Sequence, residues 1–274
     1  MAGDPEDPHD IDIYATPRHA RNRYVQFDTV QGIARITLNR PPANVMAVEV
    51  LEELNEALES LEYQRDVKLV VIAGSGKYFS AGFELADHLG DRAYVMVEDF
   101  RGVFENLGKL DKPTLAVVGG PALGAGCVLA AACDITLAAA SSKFGLPEIK
   151  GGVFNTVAAV LLPRILGRKK AFELILTGAS LTAPEAERLG LVTRVVPDER
   201  LEAEASALIQ RFQEGSAPIL QLTRRAIVGA YDLLMPDALR HTEDVYLNQL
   251  MATEDMEEGL NAVMAKRKPA WKDK

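Results

Sequence analysis

The chain has 274 residues, of which 48% are hydrophobic and 25% charged; this is the composition of a globular protein with one or two domains. Its 30 basic and 39 acidic residues give a net charge of −9, which argues against a chain-wide nucleic-acid surface because such a surface needs clustered basic residues. We expect no membrane span because no window of about 18 apolar residues is present.

The N-terminal residues and the two cysteines predict a cytoplasmic protein. Residues 1–23 are polar, acidic at first and then rich in arginine, so we interpret them as a flexible tail and not as a signal or transit peptide. The two cysteines, Cys127 and Cys133, are too few for a Cys-rich zinc site and are wrongly spaced for a local disulfide. Two free, buried thiols are typical of a reducing compartment.

Strands and helices are predicted to alternate from the start of the folded region. Tyr24–Asp28 and Ile33–Leu38 have the pattern of a β-hairpin. Asn44 is a favourable N-cap for a helix over Val45–Tyr63, whose apolar residues recur at helical spacing. Leu69–Ala73 is continuously apolar and is predicted to be a buried strand.

The alternation continues to about residue 197 and then gives way to helices. The further strands are predicted at 114–118, 135–138 and 191–196, and the further helices at 93–110, 125–133, 156–166, 168–176, from 182, and at 200–213, 217–231, 237–251 and 254–267. This order predicts an α/β core over residues 24–197 and a helical C-terminal region over residues 198–274. The apolar surface of the last helices predicts a homo-oligomer.

Two turns rich in small residues follow predicted strands. Gly124, Ala125 and Gly126 stand where a strand turns into an apolar helix, and the first N–H groups of a helix lack intrahelical acceptors. A similar turn, Ala81-Gly82-Phe83, follows the strand at 69–73. If the turns are neighbours, their N–H groups form an oxyanion hole suited to an enolate; the alternative is a tight turn that leads into a buried helix.

Glu148 is the best candidate for a proton-transferring group. It lies between Leu146-Pro147 and Ile149, and apolar surroundings raise a carboxyl pKa toward the range of a general acid or base. The alternative is a turn residue that faces solvent or pairs with Lys150. Asp134 is interpreted as structural, and His88 and His241 are isolated. The sequence contains no Ser-His-Asp set, metal-ligand cluster, GxGxxG fingerprint or P-loop.

Together these segments resemble the crotonase superfamily, the enoyl-CoA hydratases and isomerases, from Tyr24 to the C-terminus. The resemblance rests on segments 40–44, 77–83, 119–134, 143–148, 182–186, 190–192 and 258–267. It implies a core of ββα turns in a spiral, C-terminal helices that form a trimer or a dimer of trimers, and an acyl-CoA thioester as partner. Coenzyme A would enter as part of the substrate, with no other cofactor, metal, nucleic acid or membrane.

The resemblance also implies a set of site residues. The N–H groups of Phe83 and Ala125 would hold the thioester oxygen, next to Gly124. The coenzyme A moiety would lie near two loops, which contain Asn44 and Val45 in the first and Ser80, Ala81 and Gly82 in the second. Lys266 or Lys268 would reach its phosphates.

The sequence departs from the family pattern in two places beside the expected site. Hydratases of the superfamily usually hold water between two glutamates, of which the second matches Glu148; the first position is occupied by Val128. The segment 152–156, which includes Phe154, also differs from the glycine-rich segment that many hydratases of the superfamily have beside the water. A site with a single glutamate resembles the sites of the double-bond isomerases of the superfamily. A decarboxylase and a non-catalytic acyl-CoA binder are further alternatives.

A second resemblance favours hydration. Segments 40–44, 148–154, 161–163 and 246–260, together with His88, are similar to the cyclohexa-1,5-diene-1-carbonyl-CoA hydratases of anaerobic aromatic degradation. Our leading hypothesis is therefore a hydratase for a conjugated or alicyclic enoyl-CoA. In it, Glu148 is the acid/base and the N–H groups of Phe83 and Ala125 are the oxyanion donors. A Δ3,Δ2-enoyl-CoA isomerase is the main alternative.

Overall fold

A computed structural model describes residues 23–274. Residues 1–22, which carry nearly all of the predicted tail, lie outside the described residues. The strands are β1 Val25–Val30, β2 Ile33–Leu38, β3 Leu69–Gly74, β4 Thr114–Val118, β5 Ala122–Leu123, β6 Ile135–Ala139, β7 Lys143–Gly145, β8 Ser180–Thr182 and β9 Arg194–Val196. The longer strands form one sheet in the order β1-β2-β3-β4-β6-β9, and the shorter ones form a second in the order β5-β7-β8.

Ten α-helices lie within residues 23–274. They are α1 Val48–Ser60, α2 Arg92–Lys109, α3 Ala125–Ala132, α4 Thr156–Leu166, α5 Arg168–Thr177, α6 Ala183–Arg188, α7 Leu201–Gln213, α8 Ala217–Ala230, α9 Met235–Asp244 and α10 Glu254–Met264. Short 3₁₀ helices occupy Leu85–His88 and Pro147–Gly151, in the two segments that carry site residues. In the part of the chain that the structure describes, no helix combines the length and the apolar character that crossing a membrane requires.

The large sheet forms the centre of the core because its strands are apolar on both faces. β1 and β2 form the predicted antiparallel hairpin, and every later neighbour in this sheet is parallel. β2, β3 and β4 are buried along their whole length, as parallel strands covered on both sides are. Ile36 and Ile72 belong to the core cluster of α1 and α2, whereas Leu69 and Leu115 belong to the cluster of α7.

The prediction that Asn44 caps the first helix is wrong. α1 begins at Val48, after Ala47, with no side-chain cap. Asn44 has a φ of +50°, and its side chain accepts from Arg40 N at 3.0 Å and donates to the carbonyls of Ser75 and Tyr78 at 2.9 and 2.8 Å. Its amide is thus used in fastening two loops together.

The small sheet was not predicted, because strands of two or three residues are too short to show a period. β5 and β7 are parallel, and the N–H of Gly124 donates to the carbonyl of Gly145 at 2.8 Å. This sheet sets the start of α3 beside the segment that carries Glu148. The helix predicted from 182 is α6, and it begins with a capping box: Thr182 accepts from Glu185 N, and the Glu185 carboxylate accepts in return from Thr182 N.

Two predicted boundaries in the later part of the chain are wrong. The strand predicted over 191–196 is β9, which begins only at Arg194. The helix predicted over 237–251 is interrupted: α9 ends at Asp244, and a π-helical turn follows over Val245–Gln249. Hydrophobic periodicity does not distinguish an α-helix from a local widening of the same helix, so the interruption after Asp244 leaves no signal in the pattern.

Candidate active site

The two glycine-containing turns lie against each other, as the sequence analysis required for an oxyanion hole. The N–H of Leu123 donates to the carbonyl of Ser80 at 2.8 Å. Gly82 and Gly124 both have positive φ, +101° and +53°, and a Cβ placed on Gly82 would lie 3.2 Å from the carbonyl oxygen of Leu123 and 3.6 Å from Ala125 N. Only residues without a side chain bring the two backbones this close.

Each turn presents one N–H group without an acceptor. Met46 donates to the carbonyl of Gly82 at 2.7 Å and accepts from Glu84 N at 3.1 Å, so the N–H of Phe83, between them, points to the opposite side. Ala125 is the first residue of α3, where an N–H has no intrahelical acceptor. Within residues 23–274 neither N–H donates a backbone hydrogen bond. The two neighbouring turns therefore each leave one donor free, as an oxyanion hole requires.

The ring of Phe83 anchors the first of these donors. It packs edge-to-face against Phe100, with ring centroids 4.6 Å apart, and against His88 at 5.6 Å. Aromatic contacts of this kind stabilise one orientation of the rings. The backbone of Phe83 is thus fixed from α2 as well as from the bridge to Met46.

Asp87, a residue to which the sequence analysis gave no role, fixes the segment after Phe83. Its buried carboxylate accepts from the backbone N–H of Val48 at 2.9 Å and from Arg92 Nε at 2.5 Å. A carboxylate is favourable at a helix N-terminus because it satisfies a free N–H and opposes the helix dipole. Asp87 therefore ties the 3₁₀ turn beside the site to α1, a contact that sequence spacing alone does not reveal.

Glu148 reaches the same place from the segment after β7. A Cβ placed on Gly124 would lie 2.6 Å from Glu148 Oε1, and Asn155 Nδ2 donates to that oxygen at 3.3 Å. Glu148 Oε2 is buried, with no hydrogen-bond partner among the described residues. Across residues 23–274, the alternative ion pair with Lys150 is absent.

The surroundings of Glu148 are apolar. A narrow cavity beside it is lined by Leu146, Ile149, Phe154, Asn155, Ala158 and Ile175. Burial raises the pKa of Glu148, and hydrogen bonds from backbone and from Asn155 oppose that rise only in part. A carboxyl whose pKa is raised is suited to taking up and returning a proton near neutral pH.

The wall of the site formed by α3 is apolar. Val128 is fully buried, and its N–H donates to the carbonyl of Gly124 at 3.1 Å, one helical turn earlier. Cys127 is buried, and burial together with the nearby Glu148 raises the pKa of its thiol to about 12. The thiol therefore stays protonated, and α3 supplies an N–H group but no ionised side chain.

The remaining predicted site residues fall into two groups. Asn44 and Ser80 are buried and bond to backbone: the Asn44 amide joins two loops, and Ser80 Oγ accepts from Gly82 N at 3.2 Å. Phe154 is 58% exposed at the rim of the cavity, and Lys266 is exposed just after α10. Contact of these residues, and of Val45 and Ala81, with a substrate stays a prediction.

This fold and site define the crotonase class of enzymes, and the chain belongs to the enoyl-CoA hydratase/isomerase family, whose sequence model matches residues 28–274. It is similar to a protein of Rhizobium meliloti named a probable enoyl-CoA hydratase, with 39% identity over 89% of this chain and 96% of the relative. The crystal structure of an enoyl-CoA hydratase from Bacillus anthracis superposes with a TM-score of 0.86 at 30% identity, covering 92% of this chain and 100% of that one.

A second solved structure agrees. An enoyl-CoA hydratase from Mycobacterium smegmatis matches with a TM-score of 0.86 at 30% identity over 91% of this chain and 99% of its own. The resemblance to the crotonase superfamily and the fold class expected from it are therefore confirmed. The narrower resemblance to cyclohexadiene-carbonyl-CoA hydratases stays a prediction.

Proposed function

We propose that this enzyme hydrates a conjugated or alicyclic enoyl-CoA through a thioester enolate. The observation that carries the proposal is the pair of free N–H groups, at Phe83 and Ala125, beside one buried carboxylate, Glu148. Hydrogen-bond donors aimed at a developing oxyanion contribute about 3 kcal/mol each to lowering the barrier. The similarity to proteins named as enoyl-CoA hydratases supports water as the second reactant.

The residues present account for each proton. The thioester oxygen accepts from Phe83 N–H and Ala125 N–H. Glu148 takes a proton from water while the water oxygen bonds to C3, and the electron pair of the double bond moves toward the thioester. The enolate then receives a proton at C2 from Glu148, so the carboxylate is restored. Coenzyme A serves as part of the substrate, and the proposal includes no other cofactor.

One observation favours isomerisation as the second candidate. Val128 provides no carboxylate to hold water with Glu148, and the cavity beside Glu148 is apolar. A single carboxylate suffices to remove a proton from C2 of a 3-enoyl-CoA and return it to C4. Isotope-labelled water separates the two reactions: with an enoyl-CoA in H₂¹⁸O, hydration places ¹⁸O in the product. A shifted double bond without ¹⁸O supports the isomerase and contradicts hydration.

The role of Glu148 is tested by the Glu148→Gln variant. Loss of a general acid–base group lowers turnover by about 10²–10⁴, so we expect kcat to fall in that range while substrate still binds. Glu56→Gln, exposed on α1, is the matched control and should leave kcat unchanged. Undiminished turnover in Glu148→Gln would contradict the proposed mechanism. Binding of CoA esters without turnover by the wild type would favour a non-catalytic binder.

We further propose that the enzyme is a cytoplasmic homotrimer or dimer of trimers. The region from α8 to the π-helical turn exposes a run of large apolar side chains. They include Ile227, Tyr231, Leu233, Leu234, Met235, Leu239, Tyr246 and Leu247. Extended apolar patches of this kind are characteristic of protein–protein interfaces.

A further inference from the structure

Asn155 connects the start of α4 to the carboxylate of Glu148. Its side chain is 3% exposed, and both of its polar atoms are used. Oδ1 accepts from Ala158 N at 2.9 Å and caps α4, while Nδ2 donates to Glu148 Oε1 at 3.3 Å. Because the helix cap fixes the orientation of the amide, the donor is held toward the carboxylate.

The two oxygens of Glu148 are therefore in different environments. Oε1 lies beside Gly124 and accepts from Asn155. Oε2 is buried and without a partner in the described part of the chain. The donor held against Oε1 stabilises the charged form of the carboxylate and fixes its orientation beside the Gly124 turn.

We propose that Asn155 is a positioning residue: by donating to Oε1 it holds the carboxylate of Glu148 beside the Gly124 turn, in the orientation that proton exchange with the reacting atoms requires. The inference rests on the proposed acid/base role of Glu148. It goes beyond that role because it names the side chain that orients the carboxylate and stabilises its charged form.

Two substitutions separate this role from helix capping. Ser and Asp both cap helices about as well as Asn, so Asn155→Ser and Asn155→Asp keep the start of α4. Asn155→Ser removes the donor to Glu148. Asn155→Asp keeps the shape of the side chain but replaces the donor with a second carboxyl group, and neighbouring carboxylates raise the pKa of one of the pair.

We expect both variants to lower kcat with little change in KM. A hydrogen bond to a charged group corresponds to about a tenfold change in rate, so kcat of Asn155→Ser should fall about tenfold and that of Asn155→Asp further. The acidic limb of the kcat–pH profile should move to higher pH in both, because the donor that stabilises the carboxylate is lost. The thermal unfolding midpoint of Asn155→Ser should stay near that of the wild type, and that of Asn155→Asp should be lower at neutral pH because it adds a second carboxyl group to a buried site.

Ser216→Ala is the matched control, since Ser216 is also 3% exposed and caps α8 by accepting from Ile219 N. It should lower the unfolding midpoint and leave the pH profile unchanged. If Glu148→Gln is inactive while both Asn155 variants keep the wild-type pH profile, the positioning role is overturned and the role of Glu148 stands. Full activity in Glu148→Gln overturns the proposed function itself.

Discussion

At the scale of single residues, the site depends on one carboxylate placed in apolar surroundings. Burial disfavours the charged form of Glu148 and raises its pKa, and the hydrogen bond from Asn155 only partly opposes this. The same burial that suits the group to proton transfer makes its ionised form costly to the folded state. If Glu148 has the proposed role, the same burial that supports activity lowers the stability of the folded state.

The effect on stability has a definite sign. Because the folded-state pKa of Glu148 is above the unfolded value, protonation favours the folded state, and the penalty appears as pH rises through these two values. Glu148→Gln removes the charge, so we expect a higher unfolding midpoint than the wild type at pH 7 and a smaller difference at pH 4. Calorimetry at the two pH values measures this. A lower midpoint for the variant at pH 7 would contradict the assigned burial penalty.

Gly124 tests the contact between the two turns and the carboxylate. A Cβ at this position would lie 2.6 Å from Glu148 Oε1. The substituted residue would also have to keep a φ of +53°, which is unfavourable for a residue with a side chain. Gly124→Ala should therefore lower kcat/KM by at least about 10²-fold, since misplacement by about 1 Å has effects of that size. Gly151→Ala, with no atom near the added Cβ, should retain activity.

At the scale of elements, one hydrogen-bond network around the buried Arg224 joins four of them. Asp134, after α3, accepts from Thr114 N and Oγ1 at the start of β4, both at 2.8 Å, and from Arg224 Nε on α8 at 2.7 Å. Arg224 also donates to the carbonyls of Leu107 and Leu110 at the end of α2. These carbonyls have no intrahelical donors, so the guanidinium donates the hydrogen bonds that the helix end lacks. The structural interpretation of Asp134 agrees with these contacts.

Removing this guanidinium should destabilise the fold. Removing the buried guanidinium leaves two carbonyls at the end of α2 without a donor, and we expect Arg224→Ala to lower the free energy of unfolding by about 3 kcal/mol. Its neighbour Arg225 pairs with Asp111 on the surface, and Arg225→Ala should cost less than about 1 kcal/mol. Urea denaturation of the two variants provides the comparison. Equal losses would show that burial of the network is not what stabilises it.

At the scale of the whole molecule, the exposed apolar surface is concentrated in the C-terminal region. Leu234 and Leu239 are 77% and 53% exposed, and side chains of this kind are unfavourable in water unless another surface covers them. The negative net charge of the chain does not prevent association through such a surface, because the patch is apolar.

Charged substitutions in this surface should dissociate the proposed oligomer. We expect light scattering to give three times the chain mass, or six, for the wild type. Leu234→Glu combined with Leu239→Glu should shift the mass toward the monomer. Tyr63→Glu, at an 83% exposed position after α1, is the control and should leave the mass unchanged. A monomeric wild type would contradict the proposed assembly.

The sequence by itself determined the features that depend on local pattern. Continuous apolar runs predicted β3 and β4. The apolar neighbours of Glu148 in the sequence predicted that its carboxyl group is partly buried, because the residue types around a position indicate whether it is buried. The two small-residue turns at 81–83 and 124–126 were recognisable because small side chains cluster there and allow another group to approach the backbone closely.

Tertiary structure alone decided what those features become together. The short pairing of β5 with β7 sets the start of α3 beside Glu148, and strands of two or three residues carry no periodic signal. Asn44 is a favourable cap by type, yet its amide fastens two loops, because its contacts are over 30 residues away along the chain. Asn155 and Asp87 gain their roles in the same way: a hydrogen bond across the fold depends on the position of its acceptor or donor, which no local pattern encodes.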